Sequence, residues 1–407
     1  MTDTGDRRHA GFKRRTRVAA ARDELEALVA VVDRTEEVPL DAADGRVLAE
    51  SVAAGRDVPG YRRAAMDGFA VRAADTFGAS DRSPERLRIA EGSVDPGDAV
   101  RVHTGSELPP GADAVVMIEH VEEGGGEIDV FDAVAEGENV GPADEDVAAG
   151  TALYDPGHEL RPSDLGLLKS VGARAVAVRD RPDVAVVPTG EEVVQSDPGP
   201  GQVVETNGLT VSRLVERWGG SPRYRDVVTD DETALREAID RDRDADVVVT
   251  TGGSSVGERD LTVDVVDSMG EVLVHGVALK PGHPVAIGRV ESTPVLLLPG
   301  YPVSCIVNAV QFLRPAIKWA LGTEPIDPPS VTARLAGKVR SEPGVRTFAR
   351  VTLSREDGTW VASPVSASGA GVLSTVALAD GWVTVPESTE GYPSGEAVVV
   401  ERWEGRP

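Results

Sequence analysis

The run Asp246-Val-Val-Val-Thr-Thr-Gly-Gly-Ser-Ser-Val-Gly-Glu-Arg-Asp260 decides how this chain is read. Its first half is short, apolar and β-branched, the composition of a strand buried on both faces. Gly252-Gly253 then lets the backbone turn sharply and approach another group closely. Ser254 and Ser255 add hydroxyls, and a helix opening near Leu261 offers free N–H groups to an anion. Open α/β sheets take their ligands at such carboxyl ends. A capped strand-to-helix turn would use the same residues, so the loop alone leaves both readings open. No Gly-Lys-Ser/Thr follows and no G-x-G-x-x-G is present, which excludes the Walker and dinucleotide loops.

Outward from this loop the same grammar holds. An apolar run at 183–188, an amphipathic helix at 209–218, a strand at 224–228 and a helix at 232–241 precede it. A helix at 261–269, a hairpin over 284–298 and a long helix at 302–321 follow. Strands alternating with helices predict βαβ units and a mostly parallel sheet covered on both faces, a three-layer αβα domain. Upstream, the spacing predicts a helix over 19–32, an extended piece at 37–40, a small helix at 41–50 and another helix starting at Pro162. Residues 53–144 change to short Val/Ile runs broken by Gly and Pro, an inserted strand-rich module with a hairpin tip at Gly124-Gly125-Gly126. Three prolines in 324–330 mark a linker, and short alternating strands beyond it predict a small all-β domain.

At 407 residues the chain is long enough for two to four domains. Its 68 Asp+Glu against 42 Lys+Arg give a net charge of -26, which argues against nucleic acid or an anionic membrane as partner. Only five of those cations are lysines, a haloarchaeal-like composition. The basic stretch 7–17 is followed by acidic residues rather than an apolar core, so a frayed terminus is expected there. No apolar run approaches the roughly 20 residues a membrane helix needs. A single cysteine, Cys305, forbids an internal disulfide and fits a cytoplasmic protein. It sits in an apolar helix start and reads as core.

Three further strand ends repeat the opening theme: Pro188-Thr189-Gly190-Glu191-Glu192, Lys280-Pro281-Gly282-His283-Pro284 and Pro299-Gly300-Tyr301-Pro302-Val303-Ser304. Together the four predict a pocket for a phosphate-bearing ligand. Lys280 stands out in so lysine-poor a chain. Asp260, Asp230 and Glu192 lie at strand ends where carboxylates could hold Mg²⁺. Cysteine and histidine offer no zinc spacing, and nothing resembles a hydrolase elbow.

The stretch Glu37-Val-Pro-Leu-Asp-Ala-Ala-Asp-Gly-Arg-Val-Leu-Ala-Glu50, with Asp57-Val-Pro59 and Ala65-Met-Asp-Gly-Phe-Ala70, resembles the MoeA/gephyrin-E family of molybdopterin molybdenumtransferases. The resemblance continues through His103-Thr-Gly105, Glu145-Asp-Val147, Pro188-Thr-Gly-Glu-Glu192, Thr251-Gly-Gly-Ser-Ser-Val-Gly257, Lys280-Pro-Gly282 and Pro299-Gly-Tyr-Pro-Val-Ser304, spanning roughly 18–400. It implies a homodimer of four-domain subunits. Domain I would be helical, at 17–52 and 145–181, with domain II inserted at 53–144. The molybdopterin-binding domain III would occupy 182–326, and a β-barrel-like domain IV would occupy 327–407. The reaction implied is insertion of molybdate into adenylylated molybdopterin, with Mg²⁺-dependent release of AMP.

Residue by residue, the resemblance assigns catalytic positions to Asp67, Thr104, Asp146, Glu192, Asp230, Asp260 and Lys280. The first three would act on the other subunit's cleft. Thr189, Gly190, Gly252, Gly253, Ser254, Ser255, Pro281, Gly282, Pro299, Gly300 and Pro302 would hold the cofactor. Molybdate would meet Lys280, His283, Ser304, Arg350 and Ser368, and the metal Asp230, Asp260 and Glu192. The chain departs from the family pattern at His283 and Gly276, where lysines are usual, at Tyr301 in place of asparagine, and at Asp144 in place of glycine. A partly charged His283 would make oxyanion binding weaker or more pH-dependent. An adenylyltransferase acting one step earlier shares the domain III fold but lacks the other domains, and a receptor scaffold does not require these site motifs.

Overall fold

A computed structural model describes residues 15–252, 261–365 and 371–405. The chain divides into two compact units, one from Glu36 to Val178 and the other formed by the residues up to Thr35 and from Arg179 onward.

In the 36–178 unit, a six-stranded sheet runs in the order Ala114–Met117, Gly68–Val71, Asp98–Val102, Glu85–Ile89, Glu127–Val130, Val121–Gly124. Phe69, Val116 and Ile128 bury its inner face, and the last two strands form the hairpin expected around Gly124. The helix expected at 41–50 is instead a single 3₁₀ turn, Leu40–Ala42. Gly45, at a φ of +68°, ends the turn, and Val47 and Leu48 run on as isolated bridges to Glu159 and Val178.

Helix Pro162–Ser170 is held by one carboxylate. Asp164, 2 % exposed, accepts from Arg161 N at 2.9 Å, His158 Nε2 at 2.8 Å and the Tyr154 hydroxyl at 3.1 Å. The Arg161 guanidinium, paired with it at 2.9 Å, holds the carboxyl well below the usual range, with help from His158. We expect Asp164→Ala to cost about 2–3 kcal/mol, read as an earlier far-UV circular dichroism transition. The contribution is full above the unfolded carboxyl value of about 3.9 and drains away on acidification towards the lower folded value.

The second unit holds the α/β layer and the barrel. Its sheet runs Ser221–Tyr224, Asp183–Pro188, Val247–Thr251, Thr293–Leu298, Ala286–Val290, Glu271–His275, with the first three pairings parallel and the last two antiparallel. Helices Asn207–Arg217, Glu232–Arg241 and Leu261–Met269 connect these strands. The edge strand lies at Ser221–Tyr224 rather than 224–228. Pro222 is tolerated there, and 228 joins only by a bridge to Thr189. Helix Val18–Leu28 packs on this layer, against Glu271–His275 and Arg314–Ala320.

The helix expected at 302–321 is continuous but changes pitch. Pro302–Asn308 is α-helical, Ala309–Leu313 is a π turn and Arg314–Ala320 is α-helical again. Pro315 has no N–H for the Gln311 carbonyl four residues back. Arg22 supplies the missing donor, its Nε at 2.9 Å from Gln311 O and its NH2 at 2.8 Å from Gln311 Oε1.

Past the linker, strands Ser330–Leu335, Arg346–Glu356, Thr359–Pro364, Gly381–Val385 and Ala397–Glu401 close into a five-stranded barrel. The long strand Arg346–Glu356 makes closure possible by pairing with both Thr359–Pro364 and Gly381–Val385. Val351, Leu335 and Val383 fill the interior, as small barrels require.

Candidate functional site

The three inner parallel strands end side by side: Pro188 is in register with Thr251, and Thr251 with Leu298. The segments leaving these ends therefore converge on one edge. Gly252 makes the closest approach. A Cβ there would lie 2.2 Å from the Thr189 carbonyl oxygen, and its φ of +138° is one that side chains rarely adopt. Its N–H donates to Leu298 O at 3.1 Å. Asn207 Nδ2 donates to Gly300 O at 2.7 Å and so fixes the third loop. Beneath it, Glu205 accepts from the Gly208 N–H at 2.6 Å and from the Tyr224 hydroxyl. Burial and that carboxylate push the Tyr224 phenol up to about 12.

The Lys280 loop is anchored from both sides. Leu279–Lys280 pairs in parallel with Arg346 and Thr347, which ties it to the barrel. On the other side, the wholly buried Asn308 donates from Nδ2 to Gly282 O at 2.9 Å and to Ser304 O at 2.8 Å. A Cβ on Gly282, at a φ of +110°, would meet that Nδ2 at 2.2 Å. Lys280 Nζ lies 2.9 Å from Glu342 Oε1, and this ion pair lowers the Glu342 carboxyl. Burial, with Arg15 and Lys280 nearby, pulls the His283 imidazole below its ordinary value. His283 is therefore neutral at pH 7 and above, and supplies hydrogen bonding rather than charge. His283→Lys is expected to tighten oxyanion binding by about ten-fold at pH 7.5, checked by titration calorimetry with molybdate.

Between these loops and the barrel lies a cavity of 1210 Å³. Among the described residues, five basic side chains line it (Lys280, His283, Lys338, Arg340, Arg350) against two carboxylates, Glu192 and Glu205. Burial lowers the Arg350 guanidinium from its ordinary value. The Thr189 and Thr251 hydroxyls, also on the wall, are buried with no hydrogen-bond partner among the described residues. In a chain of net charge -26 this is a locally cationic, donor-rich chamber, shaped for anions.

Most residues expected at the site meet here. Thr189, Gly252, Pro281 and Gly282 line the cavity, as do Pro299, Gly300 and Pro302. Lys280, His283, Ser304, Arg350 and Glu192 share it. Gly190 and Asp230 are not among the lining residues, although a Cβ at Gly190 would meet the wall side chains of Val193 and Glu192. Asp230 is partly buried, its Oδ1 has no partner among the described residues, and burial with the Glu192 charge raises its carboxyl. Gly253, Ser254, Ser255, Asp260 and Ser368 lie outside the described residues. In the other unit, the exposed Asp67 Oδ1 accepts from Thr104 N at 2.6 Å and Thr104 Oγ1 at 2.9 Å. These bonds, the backbone one foremost, hold the Asp67 carboxyl below its usual range. Asp146 is exposed and its N–H donates to Val58 O at 3.1 Å, with no hydrogen bond or ion pair to Asp67 or Thr104 among the described residues. The sequence reading missed Asn207, Asn308, Lys338 and Arg340. Only Lys338 carried a signal, as one of five lysines.

Family models match the chain in three consecutive blocks: the MoeA N-terminal region (domain I and II) at 16–172, a probable molybdopterin binding domain at 185–319 and the MoeA C-terminal region (domain IV) at 332–403. A molybdopterin molybdenumtransferase 2 of Mycobacterium tuberculosis is 33% identical over 386 residues, covering 89% of this chain and 94% of the relative. A molybdopterin molybdenumtransferase of Bacillus subtilis is 31% identical over 387 residues, covering 90% and 89%. The crystal structure of a molybdopterin biosynthesis MoeA protein from Pyrococcus horikoshii superposes with a TM-score of 0.83 at 34% identity, covering 97% of this chain and all of that one. On these matches, from the N-terminal region to the closing barrel, the chain belongs to the MoeA family.

Proposed function

We propose that the chain is a molybdopterin molybdenumtransferase, which inserts molybdate into adenylylated molybdopterin and releases AMP. The observation that carries this reading is the cavity in which Lys280, Ser304 and Arg350 share one wall system with unpartnered hydroxyls at the strand ends. Lys280 and Arg350 offset the oxyanion charge and the Ser304 hydroxyl orients it. Thr189 and Thr251 hydroxyls and the close-packed turn at Gly252 receive phosphate oxygens. In the balanced step, the dithiolene sulfurs replace one molybdate oxo group, which leaves as water with the two thiol protons. Attack of water on the phosphoanhydride frees AMP.

A divalent cation fits the Asp230–Glu192 pair, since a buried orphan oxygen beside a second carboxylate gains from positive charge. Asp230 and Glu192 would hold Mg²⁺, which when bound neutralises phosphate charge. On this reading Asp67, Thr104 and Asp146 act at the cavity of a partner copy in a homodimer, and the acidic, lysine-poor composition suits a salt-rich cytoplasm.

The test supplies either adenylylated molybdopterin with molybdate and Mg²⁺, or molybdopterin with ATP, at high salt. AMP release from the first mixture supports the reading. Adenylyl transfer to molybdopterin in the second, with no AMP release in the first, would place the chain one step earlier.

A further inference from the structure

The sequence assignments and the proposed reaction leave two cavity cations without a task, Lys338 and Arg340, both contributed by the barrel. Strand Val339–Arg340 pairs antiparallel with Gly391–Tyr392. Val339 is 4 % exposed and points into the barrel core, whereas Lys338 and Arg340 on either side of it are exposed. Extended alternation therefore sends both cations to the face opposite the Val339 side chain, and the segment 338–340 lines the cavity. Other cations of this unit are ion-paired, Arg346 with Glu387 at 3.1 Å and Arg334 with Glu356 at 3.1 Å, and the exposed pair of Lys280 with Glu342 at 2.9 Å is one that a bound oxyanion must open. Lys338 and Arg340 have no ion pair or side-chain hydrogen bond among the described residues. In a chain with 68 carboxylates, two cations left in this state on a cavity wall are open to a ligand's charge.

We propose that Lys338 and Arg340 form a second anion subsite, separate from the Lys280–Ser304–Arg350 group, that takes a diphosphate. Two strand positions span about 6.6 Å, which suits side chains gripping neighbouring phosphate groups. A guanidinium beside an ammonium combines a planar fork with a mobile point charge, a pairing suited to phosphate oxygens. The cavity exceeds the roughly 300–1,000 Å³ typical of small-molecule sites, leaving room for a nucleotide-bearing ligand and a separate oxyanion. Among the described residues the cavity's carboxylates, Glu192 and Glu205, come from the α/β wall, and Glu205 is already engaged by Tyr224 and the Gly208 N–H. This proposal rests on the molybdenumtransferase reading only for the natural ligand, whose phosphoanhydride would lie across Lys338 and Arg340.

Calorimetric titrations with inorganic diphosphate and with molybdate, at one fixed ionic strength, test the division. Both side chains are exposed, so Lys338→Gln and Arg340→Gln should melt as wild type. The double variant should weaken diphosphate binding by about ten-fold or more and leave molybdate binding unchanged. Lys280→Gln should do the reverse. Failure of the wild-type protein to bind diphosphate would overturn the proposal, as would unchanged diphosphate binding in the double variant, or equal weakening of both anions in either variant. Because neither titration involves turnover, the subsite stands or falls independently of AMP release.

Discussion

Asp67→Asn is expected to lower the rate of AMP release by about 10²-fold to 10⁴-fold while molybdopterin binding stays nearly intact. The carboxylate is exposed, so its removal leaves no hole in the sheet beneath it. Its Oδ1 accepts from both the backbone and the hydroxyl of Thr104, at 2.6 and 2.9 Å, which fixes the orientation and keeps the group ionised. His103 Nδ1 stands 4.0 Å away. An asparagine can still accept from Thr104 through its side-chain oxygen, so geometry survives and charge is lost. Asp67→Ala removes both, and should be no more active. A readout that separates kcat from molybdopterin affinity is required, because a residue that merely props up the Thr104 loop would lower both together. Mixing Asp67→Asn with Lys280→Gln subunits should restore part of the activity in mixed dimers, where one cavity and one Asp67 remain intact. No recovery would contradict action across the dimer.

Gly252→Ala is expected to remove ligand binding and to destabilise its own unit by on the order of 2–4 kcal/mol. The new methyl would lie 2.2 Å from the Thr189 carbonyl oxygen and 3.0 Å from its Oγ1, at a φ of +138°. Neither side can yield cheaply, since Thr189 ends the neighbouring strand and its N–H is bonded to Thr251 O at 3.4 Å. The strand ends must part, and the donors they converge are dispersed. All five tryptophans (Trp218, Trp319, Trp360, Trp382, Trp403) belong to this unit, so the loss appears as an earlier tryptophan fluorescence transition in urea. Asp164→Ala acts in the other unit and should leave that transition unmoved. A Gly252→Ala variant that melts and binds as wild type would sink this account of the turn.

The α/β layer was legible because its signals are long-lived along the chain. The buried runs at Asp183–Pro188 and Val247–Thr251 and helices Glu232–Arg241 and Leu261–Met269 all carry apolar periodicity bounded by Gly, Pro or caps. The failures have equally local causes. Apolar residues at 41–50 mimic a helix, but Gly45 opens a turn and tertiary bridges take Val47 and Leu48. The change of pitch at Ala309–Leu313 depends on Arg22, almost 300 residues away in sequence, answering a carbonyl that Pro315 cannot. At the site, glycine-rich strand ends predicted a pocket because chain reversal itself requires those residues. Lys338 carried only its rarity as one of five lysines, Arg340 carried nothing because a two-residue strand has no readable period, and Asn308 was hidden because a buried amide inside an apolar helix looks like core. Their roles exist only once the barrel strand lies against the loop that Lys280 leads.

In the proposed reaction the cavity couples an oxyanion to the opening of a phosphoanhydride. A titration of molybdate against AMP release from adenylylated molybdopterin, with molybdenum bound to product counted in the same samples, tests it most directly. Release should rise to saturation with molybdate and match the molybdenum incorporated one for one. AMP release at the same rate without oxyanion, or with no molybdenum appearing in the product, would contradict it.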